Sequence, residues 1–329
     1  MRQILVRIPI PGIDHELTLY GYGLAMCLGY LAAILLAARR ARQEGQPPEV
    51  IHNAALCCFF GGVLGARAFF VVQYSTQFPS LWDLVRIWEG GLTFYGGFVV
   101  ATLAVIVYLR LARRPVLYWL DVIAPSLALG LAFGRLGCFL NGCCYGAVCR
   151  LNHGGMAWPV ASIPWYHYAE QHLASLGLGP VLSGGAEGGA LAGALAATWT
   201  MPAIIPSQIY SIVNALLLAL VLYVMFAHRR RNGQVILTFA VLYGITRFLI
   251  ESVRADEASA YLLGLPTLLR ILGMHETAAA LPGLTISQNI AIAMVAGGGL
   301  ALAALARSRG GQEVRLAPAG PGPARQRKR

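Results

Sequence analysis

A chain of 329 residues with 57% hydrophobic and only 12% charged residues has too little polar surface to cover a soluble fold of that size. Its net charge of +11, from 25 basic against 14 acidic residues, calls for no nucleic-acid partner. Arginines clustered along one face of a membrane protein, against anionic lipid, account for it.

Seven apolar stretches are long enough to cross a bilayer, which takes roughly 20 residues each. They lie at 19–38, 53–73, 92–112, 120–140, 207–227, 234–252 and 285–306. The acidic, proline-containing segment before the first lacks a basic n-region, so that stretch reads as a retained span and not a cleaved signal. Arginine clusters follow span one (Arg39, Arg40, Arg42), span three (Arg110, Arg113, Arg114) and span five (Arg229, Arg230, Arg231). With the tail after span seven they hold 16 of the 25 basic residues on one side of the membrane. The positive-inside rule then puts the N-terminus outside and the C-terminus in the cytoplasm. The predicted fold class is an all-α integral membrane protein of seven helices.

Residues 1–307 form the predicted membrane domain. Between spans four and five, 147–205 is rich in Gly, Ala, Pro and Trp, and it is read as an external loop or small cap. Residues 308–329, rich in Gly, Pro and Arg, are read as a disordered cytoplasmic tail. No internal repeat supports a transporter of two matching halves.

The topology assigns a depth to each polar residue within a span. Tyr22, Arg67, Tyr95, Arg135, Gln208, Tyr210, Arg247 and Glu251 all fall at the outer ends of their spans. Snorkelling would populate both ends, so a polar cavity at the outer-leaflet level is expected. Arg135 stands out because a guanidinium cannot lose its charge and lies here among glycines, in Gly134-Arg135-Leu136-Gly137. An anion such as phosphate is the natural occupant; a carboxylate partner or snorkelling is the plainer reading. Arg247, Glu251 and Arg254 share one face of span six, where Glu251 either neutralises Arg247 or orients it toward an anionic ligand.

Four of the seven cysteines cluster as Cys138, Cys143, Cys144 and Cys149. The C-x4-C-C-x4-C spacing lacks the C-x2-C pairs of a structural zinc site, so no metal and no cofactor is expected. A disulfide is compatible with an oxidising compartment. His153, His167 and His172 have no spacing that requires a ligand role.

These segments together resemble the prolipoprotein diacylglyceryl transferases, bacterial membrane enzymes. The resemblance rests on Tyr22-Gly23-Leu24, Gly65-Ala66-Arg67, and the stretch from Trp88-Glu89-Gly90-Gly91 to Tyr95-Gly96-Gly97. It continues through Gly134-Arg135-Leu136-Gly137, Asn141-Gly142 and Gly146, then Pro206-Ser207-Gln208-Ile209-Tyr210, and ends on Arg247, Glu251 and Arg254. Four positions depart from the family pattern. Tyr95 replaces its histidine, Cys138 and Cys143 replace its Asn and Glu, and Ser211 replaces a glutamate.

The resemblance implies transfer of diacylglyceryl from phosphatidylglycerol to the lipobox cysteine of a prolipoprotein signal peptide, in the bacterial inner (cytoplasmic) membrane. Arg135 and Arg247 would clamp the phosphate, Glu251 would orient Arg247, and Tyr95 and Tyr22 would line the reactive centre. Asn141, Gly146, Arg67 and Gln208 complete the implied phosphatidylglycerol site. Two other functions fit the same residues: a paralogue that binds an anionic lipid or serves another acceptor, and a membrane thiol–disulfide relay on the clustered cysteines.

Overall fold

The structure, a computed structural model, describes residues 4–9, 16–74, 91–149, 154–177, 185–254 and 284–308. A two-stranded antiparallel hairpin, β1 (Ile4–Pro9) and β2 (Glu16–Tyr20), precedes the first span. Nine helices follow among the described residues: α1 (Gly21–Gln43), α2 (Glu49–Gln73), α3 (Phe94–Leu111), α4 (Val116–Asn141), α5 (Ile163–Ser175), α6 (Gly185–Thr198), α7 (Ser207–His228), α8 (Gln234–Glu251) and α9 (Ile286–Arg307). All but α5 and α6 are long and apolar enough to cross a membrane, and these seven match the predicted spans to within a few residues. Trp88-Glu89-Gly90, His153 and the tail beyond Ser308 lie outside the described residues.

The chain divides into two compact units. The first takes in the hairpin, α1 to Tyr30, α4 from Leu127, α5, α6, α7 to Leu222, α8 from Leu237, and α9. The second takes in α1 from Leu31, α2, α3, α4 to Ser126, α7 from Tyr223, and α8 to Ile236.

In the second unit, α2 and α3 approach through small residues, as helices do where lipid offers no hydrophobic drive between them. A Cβ added at Gly61 would lie 2.9 Å from Ala104 Cβ, and one at Gly65 would lie 2.7 Å from Gly96 O. The first turn of α8 is capped by a residue distant in sequence. Asp121 is fully buried and accepts from the backbone N–H groups of Gly233 (2.7 Å), Val235 (3.0 Å) and Ile236 (2.9 Å). A carboxylate here satisfies orphan N–H groups and faces the positive end of the helix dipole.

Nor are the predicted interior arginines a uniformly solvated rim. Arg40 is 4% exposed, donates to Tyr223 O and lies 3.5 Å over the Tyr223 ring. Arg229 pairs with Glu44 at 2.8 Å. The basic cluster at the end of α1 thus contributes to packing as well as to the surface charge that the positive-inside rule reads.

In the first unit, the described residues of 147–205 pack around a hydrophobic cluster. Here α5 begins at Ser162, whose hydroxyl caps Trp165 N, with Pro164 in the first turn. Trp158, Trp165, Tyr168, Leu173, Leu195 and Ile204 belong to that cluster. His172 stacks on Trp199 and His167 bonds Gln171 at 2.9 Å, so both histidines serve the cap.

Candidate functional site

Within the first unit the polar residues gather where α1 and α7 begin and where α4 and α8 end. Glycines make that convergence possible. A Cβ at Gly137 would stand 3.0 Å from the Tyr22 ring, and one at Gly29 would stand 2.5 Å from Phe133 Cβ. The bare faces of both helices therefore let α1 lie close against α4.

One small cavity is lined by Arg135 from α4, Ser211 and Asn214 from α7, and Tyr243 and Arg247 from α8. The two arginines are held very differently. Arg247 pairs with Glu251, one turn on, and donates to Ser287 Oγ of α9 at 2.8 Å. Glu251 is 4% exposed, takes a second guanidinium from Arg254 at 3.3 Å, and accepts from Thr285 Oγ1 at 3.5 Å. Arg135 is half-buried and has no hydrogen-bond or ion-pair partner among the described residues. A cation left unpaired in a mostly apolar pocket is costly, and an incoming anion removes that cost. The cavity measures about 20 Å³, room for roughly one water.

A second, larger cavity of about 540 Å³ lies along the other approach to α4, lined by Tyr20, Tyr22, Gly23, Cys138, Asn141, Cys143 and Cys144. Tyr22 and Asn141 thus line the same cavity as the thiols. Arg135 and Cys138 are three residues apart on α4, about 4.5 Å along the axis.

The loop beyond α4 is built with care for its backbone. Gly142, at φ +82°, ends the helix in the left-handed region, with its N–H and that of Cys143 both bonded to Cys138 O. Cys144 is left-handed too, at φ +61°, which is uncommon for a residue with a Cβ. Two side chains of α7 hold this turn. Ser207 Oγ donates to Cys144 O at 2.6 Å, and Gln208 Nε2 donates to Cys143 O at 2.8 Å. Gln208 is fully buried with its amide hydrogens committed to the loop; only its oxygen lacks a partner among the described residues. Hydrogen bonds from the Cys138 and Cys144 thiols hold the Cys143 thiol well below the usual range.

Gly146 is required for a steric reason. It bonds Ile205 O and pairs with Arg254, and a Cβ there would lie 2.5 Å from Ile205 O and 2.9 Å from Val253 O. Tyr168 Oη of the cap closes the same point by donating to Gly146 O.

Arg67 and Tyr95 belong to the second unit. Arg67 is buried and donates to Gly91 O at 3.2 Å, just ahead of α3, where Gly91 takes φ +74°. Tyr95, the second residue of α3, is 46% exposed. Sequence reasoning gave no separate role to Ser207 or Tyr168, whose hydroxyls donate to the carbonyls of Cys144 and Gly146.

Seven helices long and apolar enough to cross a bilayer define a multi-pass helical membrane protein. The chain belongs to the prolipoprotein diacylglyceryl transferase family, whose profile matches residues 11–304. Among curated proteins it is similar to a phosphatidylglycerol–prolipoprotein diacylglyceryl transferase of Rhodopirellula baltica, 38% identical over 173 residues, covering 50% of this chain and 35% of that protein. Another of the same name from Clostridium tetani is 34% identical over 140 residues, covering 43% and 56%. A third, from Salmonella paratyphi B, is 37% identical over 136 residues, covering 40% and 46%. The matched stretches thus span from about a third to just over half the length of these curated relatives.

Proposed function

We propose that this protein transfers the diacylglyceryl group of phosphatidylglycerol to the lipobox cysteine of prolipoproteins, in the bacterial inner membrane with its N-terminus outside. The observation that carries the reading is Arg135, a half-buried guanidinium without an ion-pair partner among the described residues, on a cavity shared with Arg247.

The chemistry has two demands. The acceptor cysteine must present a thiolate, and a free thiol with a pKa near 8.5 needs only modest positive potential to do so. The phosphate must leave with negative charge stabilised, which planar, forked guanidiniums do well. The acceptor sulfur attacks the glyceryl carbon, the C–O bond to phosphate breaks, and glycerol 1-phosphate departs with the bonding pair. Arg135 meets the phosphate as a cation without an ion-pair partner among the described residues, while Arg247 meets it in an orientation fixed by Glu251 and Ser287. Glu251 is a positioning residue, and Arg254 helps anchor it.

The thiol-lined cavity offers the acceptor cysteine room about one helical turn from Arg135. Tyr22 and Asn141 line that entry. Gln208, with Gly146, shapes it by holding the loop, and Arg67 donates to Gly91 O just ahead of α3. A phenol is a poorer proton acceptor than an imidazole, so Tyr95 does not reproduce the family histidine.

The test is direct. Purified protein in lipid nanodiscs containing glycerol-labelled phosphatidylglycerol is given a prolipoprotein peptide and the same peptide with its cysteine changed to serine. Thioether formation on the first alone is expected. A protein that binds the lipid yet leaves both peptides unmodified would refute the reading.

A further inference from the structure

The three thiols at the end of α4 are placed as ligands. The Sγ atoms of Cys138, Cys143 and Cys144 all lie within 4.8 Å of one another. Three sulfurs about 2.3 Å from a shared zinc-class ion in tetrahedral geometry stand about 3.8 Å apart, so the trio needs to close by no more than about an ångström. Cys149 is not among them.

The convergence is made by the fold and not by motif spacing. Intervals of five and one residues are not those of a zinc finger, but the left-handed Gly142 turns the chain back over the last turn of α4. The left-handed Cys144 then brings its own sulfur to the same point. Each ligand-bearing residue of the loop is pinned through its carbonyl, by Ser207 and by Gln208. Outer partners of this kind orient ligands and set affinity. The trio also opens on the 540 Å³ cavity, which supplies an entry path and a free coordination position.

We propose that Cys138, Cys143 and Cys144 form a binding site for a thiophilic d10 cation, Zn²⁺ or Cu⁺, held by three thiolates with one position open to the cavity. Three protein ligands and an open position are the layout of a reactive centre, not of a closed structural one. Resting on the transfer reaction proposed above, that position receives the acceptor cysteine. Its S–H proton passes to solvent water on binding, since a thiol coordinated to such a cation is deprotonated. The sulfur then gives its electron pair to the glyceryl carbon as the C–O bond to phosphate breaks. A thiolate is thereby supplied in a chain whose family histidine is Tyr95.

Full-length protein, reduced and kept anaerobic in nanodiscs, is titrated with Co²⁺ as a spectroscopic probe, then with Zn²⁺ and with Cu⁺ against a chromophoric chelator. One equivalent should bind with a thiolate-to-cobalt charge-transfer band. Affinity should fall at least a hundredfold in Cys138→Ser, Cys143→Ser and Cys144→Ser, and tenfold or more in Gln208→Leu. It should stay unchanged in Cys149→Ser and in Cys57→Ser/Cys58→Ser. Absence of stoichiometric binding of either cation, or equal affinity in Cys143→Ser, would overturn the site. A second readout needs no variant: Zn²⁺ or Cu⁺ should shield these three thiols of the wild type from maleimide, mapped by mass spectrometry, and full labelling with both would overturn it. Transfer should be at least tenfold faster in the cation-loaded protein than after chelation, and equal rates would remove the cation from the reaction. Stoichiometric binding with no transfer in either state would refute the proposed function while leaving the cation site standing.

Discussion

Replacing Arg135 by alanine should separate activity from stability, because the two arginines of the cavity are held so differently. Arg247 is tied to Glu251 and Ser287, and removing it leaves Glu251, 4% exposed, with one guanidinium where it had two. Breaking a buried pair from one side costs about 3–5 kcal/mol. Retention of Arg254 should bring the loss for Arg247→Ala to the lower end, about 3 kcal/mol. Arg135 has no such ties among the described residues and sits as an unpaired cation, so Arg135→Ala should not destabilise the fold. Its transfer rate should nevertheless fall about 100- to 1000-fold, the usual loss on removing one preorganised charge-stabilising donor. Arg135→Lys should recover little of it, since a point charge does not replace a bidentate fork. The assays are thermal unfolding in nanodiscs and labelled diacylglyceryl transfer to a prolipoprotein peptide on the same preparations. Destabilisation of Arg135→Ala as large as that of Arg247→Ala would show that Arg135 has a structural partner. Unchanged transfer would remove it from the phosphate site.

Four further outcomes follow from other parts of the molecule. Gly146→Ala should destabilise the first unit by about 3 kcal/mol, because its Cβ would press on two backbone carbonyls that cannot turn aside; full stability would contradict the close approach. Asp121→Ala should cost about 3 kcal/mol by orphaning three N–H groups at the start of α8, and hydrogen exchange of Val235 and Ile236 should accelerate; unchanged exchange there would refute the cap. Tyr95→His should raise transfer at neutral pH by tenfold or more, with the gain lost below the imidazole pKa of about 6.5 as the base becomes protonated; no gain would mean that Tyr95 is remote from the reacting proton. Reporter fusions after Arg42 and Arg231 should read cytoplasmic and one at His167 external, and a cytoplasmic signal at His167 would overturn the orientation.

The seven spans were legible in the residues because a bilayer imposes one length and one polarity on every segment that crosses it. Arg135 and the Arg247–Glu251 face were legible for the same reason, since charge in apolar helix is rare enough to mark itself. Local pattern could not show which cavity each side chain enters. Tyr22 and Arg135 share a depth in sequence, yet one lines the thiol cavity and the other the arginine cavity, which only the packing of α1, α7 and α8 on α4 decides. Gln208 reads as a polar residue awaiting a lipid, while the fold spends its amide on Cys143 O, 65 residues away. The cysteines mislead most in one dimension. Their spacing argues against a metal, and two left-handed residues after α4 bring three of them together all the same. Hydropathy is a sum over a segment and survives without coordinates, whereas a site is a set of distances, and those come into being only when the chain folds back on itself.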